Sequence, residues 1–84
     1  MNFIFLFGRL RGKLDERTRV MEVMRPESCG DSDNLMLPCR YWTLTGNCVL
    51  TSINEGTLVA IRGRIECDKE IGIYVLVEQI TILR

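Results

Sequence analysis

The sequence predicts an all-β domain, a five-stranded barrel with one short helix between its third and fourth strands. Three observations point there. Five runs rich in β-branched and aromatic residues are separated by polar, turn-forming stretches. One short segment, Cys48 to Glu55, has helical rather than alternating spacing and is followed by Gly56. Two glycines, Gly8 and Gly63, stand inside strand-like runs, as happens where a short sheet bends or bulges to close on itself.

The first run, Asn2 to Arg11, is apolar on both alternating faces as far as Gly8 and amphipathic beyond it, so its start is expected to be covered on both sides. After a polar turn, Thr18 to Arg25 alternates and stops at Pro26, a second strand. Pro26 to Asn34 is dense in turn formers and acidic, and reads as a loop. Leu35 to Leu44 is the third strand, with Pro38 pointing to an edge position or a bulge. Asn47 is the candidate N-cap of the helix. Thr57 to Cys67 forms the fourth strand, Asp68 to Glu70 a charged turn, and Ile71 to Leu83 the fifth strand. Five strands with a helix after the third is the layout of the OB-fold. An SH3-like barrel or a ferredoxin-like domain competes on element order alone, but the latter needs two long helices and this chain has room for one short one. A single domain spans 1–84, without repeats.

A domain of 84 residues buries only a marginal core, which an oligomer would help. The 11 Lys and Arg balance the 11 Asp and Glu, so any anion-binding surface must be local. Residues 1–25 supply one such bias, with Arg9, Arg11, Lys13, Arg17, Arg19 and Arg25 against Asp15, Glu16 and Glu22. The apolar stretch Phe3 to Phe7 is too short to cross a bilayer and follows no positive charge, so a cytoplasmic location is expected. Cysteines stand at 29, 39, 48 and 67 with no Cys-x-x-Cys pair and no histidine in the chain, which disfavours a metal site or any other cofactor. In a reducing compartment Cys39, Cys48 and Cys67 read as small buried hydrophobes and Cys29 as a loop thiol. No histidine is available to activate a nucleophile, and no paired-carboxylate motif, phosphate loop or nucleophile turn is present, so no catalytic residue is assigned and an enzyme is not expected.

Single-stranded nucleic acid is held by cations on phosphates and by flat rings on which bases stack. Arg40, Tyr41 and Trp42 offer both on one strand. Alternation puts Arg40 and Trp42 on one side and Tyr41 on the other, in the core if the first two face a groove. Arg9 and Arg11 share a face of the first strand, and Arg62 and Arg64 a face of the fourth, so these four could track phosphates around the barrel or simply be solvated. Lys13, Arg17 and Arg19 lie on or beside the first hairpin, where OB-folds clamp a strand, although Asp15 and Glu16 favour a plain solvated turn at the tip. Tyr74, among Ile and Val, is expected in the core or an interface. Phe3, Phe5 and Phe7 are candidates for an aromatic platform, but with Ile4 and Leu6 between them and no cation before Arg9 they read first as an oligomer interface.

Residues Trp42 to Leu83 resemble the second half of the bacterial single-stranded DNA-binding protein family: Trp42, a short helix closed by Gly56, then Leu58-Val59-Ala60-Ile61-Arg62-Gly63-Arg64-Ile65. The opening Phe5-Leu6-Phe7-Gly8-Arg9-Leu10 is similar to that family's first strand. Two signatures in the right order at opposite ends are more specific than either alone, while residues 13–37 carry no family motif. The resemblance implies single-stranded DNA as partner, RNA being an alternative, and a dimer or tetramer formed through the first strand. It also implies a role in replication, repair or recombination in the bacterial cytosol or a plastid stroma. It departs from the usual family members in having no acidic C-terminal tail after Arg84 and one motif-placed groove aromatic. Those departures look more like the primosomal replication protein N branch or the short cyanobacterial and plastid forms. The competing expectation is a protein–protein module with little nucleic-acid affinity, which zero net charge and a single groove aromatic support.

Overall fold

In a computed structural model, residues 2–23, 35–43 and 49–83 are described. They form β1 (Ile4–Lys13), β2 (Thr18–Val23), β3 (Leu35–Tyr41), α1 (Val49–Ser52), β4 (Leu58–Asp68) and β5 (Gly72–Ile82). The strands close into a barrel in the order β1-β2-β3-β5-β4, with β4 returning to β1. Every pairing is antiparallel except the short parallel contact of Cys39–Tyr41 with Val75–Val77. This is the OB-fold that the element order predicts.

Strand alternation sorts the side chains. Leu10, Met21, Val23, Cys39, Val59, Ile61, Val75 and Val77 fill the interior, and Leu50 of α1 is fully buried with them. Burial of these apolar groups is the main force closing so small a barrel, at roughly 25 cal/mol per Å² removed from water. Tyr41 packs against this core, on the opposite side of β3 from Arg40 and Trp42.

Gly8 and Gly63 sit where another backbone comes close, whereas Gly12, also in β1, has open space around it. A Cβ on Gly8 would lie 2.0 Å from the Glu22 carbonyl oxygen, and one on Gly63 would lie 2.1 Å from that of Leu76. Gly8 causes no bulge against β4, where β1 runs in unbroken register through it, and its pairing with β2 begins at Gly8 itself. The irregularities lie between Leu10 and Lys13 and beside Gly63, where β5 has one residue more than β4. Pro38 does occupy an edge: β5 reaches β3 only from Cys39 onward, so the missing N–H of Pro38 interrupts no β3–β5 pairing.

Two expectations are corrected and a third is narrowed. The helix ends at Ser52, short of Glu55, and Gly56 lies in the turn between α1 and β4, where its φ of 89° favours glycine and its N–H donates to Leu10 O at 2.7 Å. Cys67 is exposed rather than buried, because it stands where β4 runs beyond the packed interior. Of the two places expected for Tyr74, the core is excluded, since Val75 and Val77 take the inward positions of β5; its ring lies against the Arg40 guanidinium, 5.1 Å from centroid to Cζ. The Pro26 to Asn34 loop, Asn47, Cys29 and Cys48 lie outside the described residues. Among the described residues, no helix is long and apolar enough to cross a membrane.

Candidate nucleic-acid interface

The outward positions of β1, β4 and β5 make one continuous surface. Along β1 these are Phe5, Phe7 and Arg9, with Phe3 just before the strand. The register sets Phe5 opposite Arg62, Phe7 opposite Ala60 and Arg9 opposite Leu58. On the far side of β4, Arg62 faces Gln79 and Ala60 faces Thr81. Two hollows open on this surface and share Arg62. The larger, about 280 Å³, is lined by Asn2, Phe3, Arg62, Arg64 and Glu78; the smaller, about 120 Å³, by Phe5, Ala60, Ile61, Arg62, Gln79 and Thr81.

The rings are held in water. Phe3, Phe5 and Phe7 are 62%, 72% and 57% exposed, and the first two meet edge to face at 6.4 Å. Asn2 fixes the strand's approach: its Oδ1 accepts from the Ile65 N–H at 2.7 Å and its Nδ2 donates to the Ile65 carbonyl at 3.5 Å. Glu78 is the additional residue of the β5 bulge, since Arg62 pairs with Gln79 and Gly63 with Val77. Trp42 follows β3 and is 60% exposed; its backbone N–H donates to Val77 O at 3.0 Å, one residue from Glu78. The Trp42 ring lies 6.1 Å from that of Tyr41, and Trp42 is not among the residues that line the two hollows.

The predicted cations divide sharply. Arg62 is exposed and has no hydrogen-bond or ion-pair partner among the described residues, and the same holds for Lys13 on the first hairpin. Arg9 is exposed and donates to Gly56 O at 3.0 Å. Arg64 is exposed and pairs with Glu66 at 3.4 Å, and Arg11 pairs with Glu22.

Arg40 and Arg19, read from the sequence as cations of the groove, are instead turned into the protein. Arg40 is 7% exposed. Its Nε donates to Thr18 Oγ1 at 2.8 Å, its Nη1 to Asp68 Oδ2 at 2.9 Å, and Asp15 lies 3.7 Å from Nη2. Burial disfavours its charge, but the Asp68 hydrogen bond and the two carboxylates outweigh burial and raise its pKa. The Asp68 carboxyl is lowered below its ordinary value chiefly by the Glu70 N–H and then by Arg40; that of Asp15 is lowered chiefly by the Arg17 N–H, with smaller help from Thr18 and Arg40. Arg19 is 4% exposed and donates to the carbonyls of Arg11, Leu50 and Ile53, tying β2 to β1 and to the end of α1. A charged side chain is buried only where such partners surround it.

Alternation along β1 and β4 was enough to put Phe3, Phe5, Phe7, Arg62 and Arg64 on outer faces. It gave no warning of Asn2, Glu78 or Gln79, which reach the hollows through the cross-strand register and the bulge. Among the described residues no group of three or more His, Cys, Asp or Glu is arranged to hold a metal.

No family model and no curated protein matches the chain. Among solved structures, the OBody NL8 bound to hen egg-white lysozyme is similar, with a TM-score of 0.62 over 100% of this chain and 96% of that one, at 16% identity. A likeness at that identity shows the shared fold alone.

Proposed function

We propose that this barrel binds single-stranded DNA with little sequence preference and without catalysis, serving replication, repair or recombination. The observation that carries the reading is Trp42. A domain short of core material leaves its sole tryptophan largely in water, and the same domain presents further exposed rings and unneutralised cations. A flat ring offered to solvent stacks any base, at roughly 1–3 kcal/mol each, and needs no hydrogen-bond readout to do so. Arg62, Lys13, Arg9 and Arg64 supply the phosphate contacts in this reading. Arg40 and Arg19 take no part in it.

The second reading, a protein–protein module, is favoured by one observation: Arg9, Arg11, Arg19, Arg40 and Arg64 all spend hydrogen bonds or charge on the protein itself, in a chain of zero net charge. Titrating labelled oligo-dT, oligo-rU and a random duplex into the protein at low salt, with Trp42 emission as a second signal, separates the two. Preference for the single strand, weakening as salt rises, is the expected result. Absence of binding at micromolar protein overturns the DNA reading in favour of the second.

A further inference from the structure

The exposed rings of β1 invite a second copy of the chain as their cover, and the lining of the surface argues for a different occupant. A patch built for self-association is apolar at its centre with charge at its rim. Here a charged side chain stands at the centre. Arg62 sits between the two hollows, opposite Phe5 and beside Phe3, with its guanidinium unpaired among the described residues. A two-fold contact sets a patch against itself and takes two copies each of Arg62, Arg64, Glu66 and Glu78 out of water together, a desolvation cost on eight charged groups. An anionic strand has the opposite effect: it brings the missing charge to Arg62, and its bases cover the rings. The rest of the smaller hollow's lining is mixed, apolar at Ala60 and Ile61 and polar at Gln79 and Thr81, and the two polar side chains can meet base edges or sugars.

We propose that a single strand crosses the outer face of β1, β4 and β5, with bases stacked on Phe3 and Phe5, one in each hollow, and a phosphate held by Arg62 between them. This rests on the single-strand reading and adds to it the site, assigning to nucleic acid the rings that sequence reasoning gave to an oligomer. Glu78 borders the larger hollow and opposes the phosphate charge, which sets an upper limit on affinity that the chain itself imposes.

The test is fluorescence anisotropy of labelled oligo-dT against the wild type, Phe5→Ala, Phe5→Leu, Arg62→Gln, Glu78→Gln and, as an exposed apolar control at the start of β5, Ile73→Ala, with light scattering on each. Phe5 is exposed, so its variants keep the core, and Phe5→Leu keeps an apolar side chain while removing the ring. Both Phe5 variants are expected to bind about tenfold more weakly. Arg62→Gln should weaken binding and reduce the slope of log K against log salt by about one. Glu78→Gln should tighten binding, Ile73→Ala should bind as the wild type does, and no variant should change the mass in solution. Wild-type affinity in both Phe5 variants overturns the proposal while leaving the single-strand reading intact. A lower mass for either Phe5 variant also overturns it, by giving the face to a second copy. If the wild type binds no strand, the single-strand reading itself fails, and this site with it.

Discussion

Arg40 and Asp68 form a 2.9 Å ion pair that joins the middle strand of the barrel to its β4–β5 turn. The same guanidinium reaches Asp15 in the β1–β2 turn, bonds Thr18 and lies against Tyr74, so two turns distant in sequence share one buried cation. Each aspartate also organises its own turn: Asp15 Oδ1 accepts the Arg17 N–H, and Asp68 Oδ1 accepts the N–H groups of Glu70 and Ile71.

Replacing Arg40 by Met retains an unbranched apolar stem and removes every one of these bonds. Thr18 Oγ1, in a fully buried residue, loses its donor, and both aspartates lose their counter-charge. The expected cost is about 2 kcal/mol, less than for a wholly buried pair because both carboxylates keep contact with water. For a domain of this size that corresponds to a fall of roughly 10 °C in Tm, read by circular dichroism. An unchanged Tm would show that Arg40 holds nothing together, and would return it to the list of possible phosphate ligands.

Acid should loosen the same linkage. Both aspartates titrate below the ordinary value of 3.8 in the folded chain, so the folded state binds their protons less readily than the unfolded chain does. Their contribution is complete above that ordinary value and is lost as pH falls through the lower folded value. Urea midpoints measured from pH 7 downward should therefore stay level until about pH 4 and then decline. Asp68→Asn should lower the neutral midpoint and flatten the decline. Parallel curves for the two proteins would mean that other carboxylates carry the acid limb.

The glycines provide a test with an internal control. Gly8→Ala and Gly63→Ala force a methyl group into a neighbouring strand's carbonyl, and because the obstacle is backbone on a paired strand it has nowhere to move. Each is expected to cost about 3 kcal/mol or more, enough to unfold a marginal domain. Gly12→Ala, with open space around its position in β1, should leave the denaturation midpoint nearly unchanged. Equal effects at all three positions would sink the close-approach account.

Those glycines also show which features are legible in a sequence. A glycine inside an apolar run announces a backbone constraint because little else explains it, whereas alternation along Arg40, Tyr41 and Trp42 sets Tyr41 opposite the other two without saying which side is inward. Arg40 and Arg19 announce nothing of the kind. Their partners are Thr18 and Asp68 in one case and the carbonyls of Arg11, Leu50 and Ile53 in the other, most of them brought near only by barrel closure. A strand arginine reads the same whether it ends in solvent or under a turn. Tyr74 escaped for a different reason: Ile73 to Val77 is apolar throughout, so no alternation tells inward from outward.

Thiol reactivity tests the interior directly. Burial pushes the Cys39 thiol up to about 12, so at neutral pH it holds almost no thiolate and is shielded from solvent as well. Cys67 is exposed on the far end of β4. In a Cys29→Ser, Cys48→Ser background at pH 8, a disulfide reagent such as Ellman's should therefore modify one thiol quickly. The second should wait for unfolding, at a rate that follows urea concentration rather than reagent. Substituting Cys67 should abolish the fast phase and leave the slow one. Prompt modification of both thiols in the folded protein would mean that the barrel opens around Val75 and Met21 often enough to expose its centre, and that the packing described here is not what protects Cys39.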